Sequence, residues 1–286
     1  MSSNRRPKSP RLSTAPGTLD FYELCVTEPG RLIPFLLAAH GQSPRTLRED
    51  FSGSGALARA WAASHRDRSA IAVDTDRAPL ARAKSRRVRT IVSPVALCTA
   101  RADIIAATNF PIGYQHTRRE LLRYLRAARK SLAPGGVLVF DLYGGKDAFS
   151  PGRIIQFLRA PRRAPWSGQL VEYTFEQRRA DAFSARVVDV LHFRAWSGNR
   201  SPAQIRRSPP SIEIPEAFTY EWRLWSIPEL REALAEAGFH STEIHPRLGD
   251  AIDGDGRAIL RPAADGAELD DNWVVHVVAR TTPRKA

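Results

Sequence analysis

Between Leu19 and Gly145, short apolar runs of β character alternate with longer stretches in which apolar residues return every three or four positions. That alternation marks a parallel sheet whose strands are joined by crossover helices. Strands are predicted at Thr46–Asp50, Ala70–Asp74, Val88–Val92, Ile104–Thr108 and Val137–Leu142, with helices between them and a first helix starting near Leu19. The best-defined helix is Thr117–Leu132. Leu121, Leu122, Leu125, Ala128 and Leu132 fall on one helical face, and Pro134-Gly135-Gly136 stops it.

From about Lys146 to Trp222 the pattern changes to β-type segments at Leu170–Gln177, Ala185–Phe193 and Ala217–Trp222, with a loop Ser197–Pro210 rich in Pro, Ser and Arg. Such segments are expected to pair antiparallel. The helical period returns after Ser226-Ile227-Pro228-Glu229, where serine can cap, proline suits the first turn and Glu229 can reach back as a capping box. That helix should end at Gly238. Strands near Glu243–His245 and Trp273–Ala279 would complete the main sheet, and no internal repeat is visible. The reading is an α/β domain over residues 17–286, with 147–222 inserted as an antiparallel lid or substrate subdomain. Residues 1–16, rich in Ser, Pro, Arg and Lys, are expected to form a disordered basic tail.

The chain has 286 residues, 43% of them hydrophobic and 26% charged, which is enough apolar content for one sizeable core. No apolar run approaches the roughly 18 residues that a membrane span needs, so a cytoplasmic protein is expected. Cys25 and Cys98 match no metal-ligand spacing, and neither a disulfide framework nor a metal site is expected. The formal net charge of +13 raises nucleic acid as a partner. The excess is almost all arginine, spread along the chain, and a solvated surface accounts for it as well.

Chemistry concentrates at the predicted strand ends. Leu47-Arg48-Glu49-Asp50-Phe51-Ser52-Gly53-Ser54-Gly55-Ala56-Leu57 reads as a strand, a glycine turn and a helix start. Glycines there let a ligand approach the backbone, and the helix start offers free N–H groups. The dinucleotide pattern G-x-G-x-x-G is absent, because Ala56-Leu57-Ala58 follows Gly55. One βα unit later Asp74, followed by Thr75, lies at the end of the second strand, where a carboxylate can accept hydrogen bonds from both hydroxyls of a ribose. Aspartate also favours strand ends for purely structural reasons. Two further segments, Asn109-Phe110-Pro111 and Asp141-Leu142-Tyr143-Gly144-Gly145, end strands whose carboxyl ends converge on one crevice.

With these segments in hand, the sequence resembles the class I S-adenosylmethionine-dependent methyltransferases. The superfamily's acid and glycine pattern falls on Glu49, Phe51, Gly53 and Gly55, its second-strand acid on Asp74, and its Leu-x-Pro-Gly-Gly on Leu132 to Gly136. A closer similarity is to members carrying Arg-Glu-Asp-Phe-x-Gly-Thr-Gly, Asn-Phe-Pro and Asp-x-Tyr-Gly-Gly, and a Tyr-x-Trp-Arg-x-Trp segment that matches Tyr220 to Trp225. The resemblance runs from about Phe21 to the C-terminus. It implies a Rossmann-like, mostly parallel seven-stranded sheet with helices on both faces, S-adenosyl-L-methionine as cofactor, and methyl transfer to an N or O atom of a small-molecule acceptor. It departs in two places. Phe51 replaces the first glycine, and Val92-Ser93-Pro94-Val95 lacks the acid usually near the adenine, so either adenine recognition rests on backbone groups or cofactor affinity is weak.

On this reading Glu49, Phe51, Gly53, Gly55, Asp74, Thr75 and Asn109 bind the cofactor. Asn109, Tyr114 and His192 position the acceptor, with Tyr143, Tyr220 and Arg223 as further candidates. His192 sits in a strand-like run and His276 in the last strand, where packing is the plainer account; Trp222 and Trp225 suit core or lid packing. The alternatives are a nucleic-acid-modifying methyltransferase using the basic surface, and a non-catalytic cofactor-binding protein. Asn109-Phe110-Pro111-Ile112 departs from the Pro-Pro-aromatic signature common in nucleic-acid amino-methylating enzymes, and no RNA-binding module is appended.

Overall fold

The computed structural model describes residues 16–162, 164–198, 201–205, 208–249 and 251–282. The expected tail falls almost wholly on residues outside that set. Helices α1 (Thr18–Cys25) and α2 (Pro29–His40) precede strand β1 (Thr46–Asp50), α3 (Ala56–Ser64), β2 (Ser69–Asp74), α4 (Arg77–Leu80), β3 (Val88–Val92), β4 (Ala102–Ala107), α5 (Arg118–Ser131) and β5 (Leu132–Gly145). Strands β6 (Gly152–Arg159), β7 (Leu170–Asp181) and β8 (Arg186–Trp196), the short α6 (Pro202–Ile205) and β9 (Ile212–Arg223) follow. The chain then returns through α7 (Ile227–Ala237), β10 (Ser241–His245) and β11 (Asn272–Arg280).

The main sheet has seven strands in the order β10-β11-β5-β4-β1-β2-β3. β1 to β5 run parallel to one another, and only β11 runs against both strands that flank it. The order reverses between β1 and β4, which opens a crevice beyond the carboxyl ends of those strands. β6 to β9 form a separate antiparallel sheet. The expected α/β class, seven-stranded sheet and antiparallel insertion are therefore all present.

Three apolar layers hold this together. On one face of the sheet Leu121, Leu125, Leu230 and Leu234 from α5 and α7 pack on Ile105, Leu138 and Phe140. On the other, Phe35, Leu36, Leu57 and Trp61 from α2 and α3 pack on Leu47, Ala72 and Val139. A third cluster joins α1 to the antiparallel sheet through Phe21, Val171 and Phe193. Capping fixes the helix starts: Thr117 with Glu120 on α5 and Ser226 with Glu229 on α7 form reciprocal boxes, and Gly238 closes α7 in the left-handed conformation.

Several boundaries differ from expectation. β5 starts at Leu132, directly where α5 stops, because Leu132 already pairs with Ala102 ahead of a register shift at the Pro-Gly-Gly turn. β4 ends one residue before Thr108, and the Ser197–Pro210 loop contains the single turn α6. β6 was not expected at all. It is an edge strand exposed along nearly its whole length, so it carries no alternation to read.

Candidate functional site

The chain leaves β1 through Phe51, Ser52, Gly53, Ser54 and Gly55 before α3 begins. Phe51, Gly53 and Gly55 all have positive φ, at 55°, 49° and 68°. The Gly53 N–H donates to a carboxylate oxygen of Asp74 at 2.7 Å, and the other oxygen accepts the Asp76 N–H at 2.9 Å. The glycine loop is thus tied to the end of β2. Each Asp74 oxygen keeps a lone pair, and the residue is only half-buried. Nothing lies within 4 Å of where a Gly53 Cβ would stand, so the loop presents bare backbone to open space.

Residues of the Arg48-Glu49-Asp50 stretch divide by strand alternation. Glu49 is buried and accepts the Ala58 N–H at 2.7 Å from the first turn of α3. Burial pushes its carboxyl up to about 8, against the pull of the Ala58 and Leu57 N–H groups. Arg48 and Asp50 lie on the opposite face in a bidentate pair at 2.8 Å, with Arg48 also donating to the carbonyls of Cys98 and Ala100 and Tyr124 donating to Asp50. That pair braces β1 and lies outside the cavity.

The third side of the crevice is a strained turn. Asn109 and Phe110 have φ of 70° and 65°, and the carboxylate of Asp141 accepts both their N–H groups, at 2.9 and 2.7 Å. Consecutive left-handed residues other than glycine are costly and persist only where the surroundings hold them. Burial raises Asp141 to about 6 despite those two bonds.

These elements enclose a cavity of about 750 Å³. Glu49, Phe51, Gly53, Asp74, Thr75 and Asn109 line it, as do Ser93 to Ala96, which bring no acid. Ser52 Oγ, buried at its wall, has no hydrogen-bond partner. Tyr22 from α1, Tyr114, and Phe218, Tyr220 and Trp222 from β9 meet ring to ring and form an aromatic end to the cavity. Tyr220 and Trp222 stack with centroids 4.5 Å apart, and Tyr114 meets Trp222 edge-on at 6.2 Å. Burial raises the pKa of Tyr22, Tyr114 and Tyr220, so these phenols stay neutral.

Of the residues expected at the site, Glu49, Phe51, Gly53, Asp74, Thr75, Asn109, Tyr114 and Tyr220 line this cavity. Gly55 does not. A Cβ there would stand 2.4 Å from the Cβ of Ala83, so its role is close packing at a left-handed turn. His192 is a clear correction. It alternates onto the face of β8 opposite Phe193, where Nε2 bonds Glu176 at 2.8 Å and Nδ1 accepts the Glu216 N–H at 3.1 Å. Tyr143 donates to Asp189 at 2.7 Å between the two sheets, and Arg223 pairs with Glu229 and stacks on Trp225; neither reaches the cavity. His276 packs on Phe35. Missed from sequence were Asp141, Tyr22 and Phe218. For Asp141 a signal existed in the Asp-x-Tyr-Gly-Gly segment at the end of β5.

No protein-family model matches the chain, and no curated protein matches it in sequence. Its fold is similar to several solved structures. One is an S-adenosylmethionine-dependent methyltransferase from Clostridium acetobutylicum, with 12% identity, a TM-score of 0.62, and 92% of this chain and 97% of that one covered. Another is a sugar N-methyltransferase from a Streptoalloteichus species, with 16% identity, a TM-score of 0.62 and 99% of each chain covered. A third is an amino pentose methyltransferase from Micromonospora echinaspora, solved with S-adenosylmethionine bound, with 17% identity, a TM-score of 0.57, and 88% and 90% covered. At these identities the likeness is one of fold.

Proposed function

We propose that the protein is a class I S-adenosylmethionine-dependent methyltransferase acting on a nitrogen or oxygen atom of a small molecule. The observation that carries this reading is the Gly53–Asp74 contact, which sets a bare glycine backbone and a strand-end carboxylate at one edge of a cavity of about 750 Å³. That volume lies within the range of small-molecule sites. Asp74 would hold the ribose hydroxyls through its remaining lone pairs, Gly53 and Ser52 would face the amino-acid end with Glu49 beneath them, and Ser93 to Ala96 would flank the adenine. When bound, S-adenosylmethionine supplies a methyl group on an electron-poor sulfonium.

The chain's own contribution is positioning and exclusion of water. Holding an acceptor in near-attack geometry can be worth about 7–11 kcal/mol, more than one general base supplies. No histidine lines the cavity, and its carboxylates are Glu49 and Asp74, which would hold the cofactor, and Asp76, which caps α4. An amine nitrogen with a free lone pair needs no base to attack, whereas an alcohol does, and this favours nitrogen as the methylated atom. The antiparallel sheet serves as the substrate subdomain on this reading, since β9 supplies three of the five aromatic side chains at the cavity's aromatic end.

The test is to incubate the protein and isotopically labelled S-adenosylmethionine with fractionated small-molecule pools. An acceptor gaining the mass of one labelled methyl group, dependent on protein, is expected. Absence of any labelled product together with absence of cofactor binding would overturn the reading.

A further inference from the structure

Along α5, Arg119, Arg123, Arg126 and Lys130 are spaced four, three and four residues apart and so share one helix face. The stripe extends about 16 Å. It walls a groove of about 530 Å³ whose other side is Ala96, Cys98 and Thr99, and no aspartate or glutamate lines it. Arg123 and Ala96 line both this groove and the cavity of the candidate site, so the two spaces meet there.

The charge of this stripe is only partly compensated. Some arginines elsewhere are matched to acids, as Arg48 is to Asp50, Arg194 to Glu172 and Arg280 to Glu243. On α5 the single carboxylate of Glu236 serves Arg118 and Arg126 together. Glu120 is turned back onto its Thr117 cap. Arg119, Arg123 and Lys130 make no salt bridge among the described residues. Arg119 and Arg123 stand one helical turn apart with like charge, and an anion seated between them removes their mutual repulsion.

We propose that this groove binds phosphate groups of the methyl acceptor, making the substrate a phosphorylated small molecule whose accepting atom reaches the cavity past Arg123. The proposal rests on the methyl-transfer reading for the identity of the ligand as an acceptor. Guanidinium groups offer paired donors that match phosphate oxygens, and a row of them suits two or more phosphates better than one carboxylate. A single nucleic-acid strand fits less well. Such strands are held by aromatic platforms as well as cations, and the groove lining contains no aromatic side chain.

Two measurements on the full chain test this. Calorimetric titration with inorganic pyrophosphate should show binding that weakens about tenfold or more in Arg119→Glu/Lys130→Glu, as loss of charge-assisted hydrogen bonds requires, while S-adenosylmethionine affinity stays within about twofold. Treating the small-molecule pool with phosphatase before the methylation assay should abolish the labelled product. Pyrophosphate affinity equal in wild type and variant, or methylation unchanged by phosphatase, would overturn the proposal. So would a short single-stranded RNA that binds more tightly than pyrophosphate and is lost in the same variant, which would mark a nucleic-acid partner. Wild-type protein that binds pyrophosphate through these residues but does not bind S-adenosylmethionine would instead overturn the methyl-transfer reading and leave the phosphate groove in place.

Discussion

Asp141, four residues from the end of β5, accepts the backbone N–H of Asn109 at 2.9 Å and so holds the second residue beyond β4 in a left-handed conformation at the cavity wall. The same carboxylate takes the Phe110 N–H at 2.7 Å. One side chain therefore pins two strained residues, of which Asn109 lines the cavity, and it does so from a neighbouring strand rather than from within the turn.

Replacing Asp141 with Asn turns one acceptor oxygen into an N–H₂ group facing a backbone N–H. Asp141→Asn is expected to lose about 1–3 kcal/mol of stability, the cost of leaving a buried donor unsatisfied, read from the denaturant midpoint. The pH dependence has a defined sign. The folded-state pKa is raised to about 6, so the folded protein takes up this proton more readily than the unfolded chain. The stability from this group is full below the ordinary carboxylate range and is lost as pH rises to about 6. Asp141→Asn should flatten the stability profile between about pH 4 and 6; an unchanged slope would mean that Asp141 does not titrate there.

Glu49 is raised further, to about 8, by burial. Its stabilising contribution is likewise greatest at low pH and falls through to about pH 8, so Glu49→Gln should be more stable than wild type at pH 8 and differ little at pH 5. The same substitution should weaken S-adenosylmethionine by about 10- to 150-fold, because it removes the charge that would face the cofactor's ammonium. If that ammonium sits over Glu49, binding near pH 7 ionises the carboxyl and releases a proton. Calorimetry in buffers of different ionisation enthalpy measures the release directly, and no proton exchange would remove Glu49 from contact with the cofactor.

Gly53 and Gly55 share a loop and both have positive φ, yet their substitutions should fail differently. Gly55→Ala drives a methyl group to 2.4 Å from Ala83 Cβ, and a large loss of stability is expected in thermal unfolding. Gly53→Ala meets no atom within 4 Å, so it should cost only about 1–2 kcal/mol of backbone strain and fold. Its methyl group projects toward the cavity, and cofactor affinity should drop while the fold persists. Equal stability losses for the two variants would contradict this division of roles.

The main sheet was legible because its central strands are buried on both faces and bounded by turn residues, and the glycine loop because φ values of 49° and 68° require what its sequence contains. The insertion was legible only in part. β6 is exposed on both faces, and β8 buries Val187, Asp189, Val190 and Leu191 alike, so period-two alternation could not tell which way His192 points. Asp141 was hidden for a different reason. Its partners are 31 and 32 residues away, and a carboxylate at a strand end looks the same whether it caps a turn or braces a remote one. The α5 stripe was present in the sequence, but which of its members are paired depends on Glu236 arriving from α7, where it serves Arg126 and the neighbouring Arg118.

The central claim is that the Gly53 loop and Asp74 grip an adenosyl ligand together, and calorimetric titration of wild type and Asp74→Ala with S-adenosylmethionine tests it most directly. Wild type should bind, and a folded Asp74→Ala should bind about 10- to 150-fold more weakly, as the loss of about 1.5–3 kcal/mol of charge-assisted hydrogen bonding requires. Wild type that fails to bind, or a folded variant with undiminished affinity, would contradict the account.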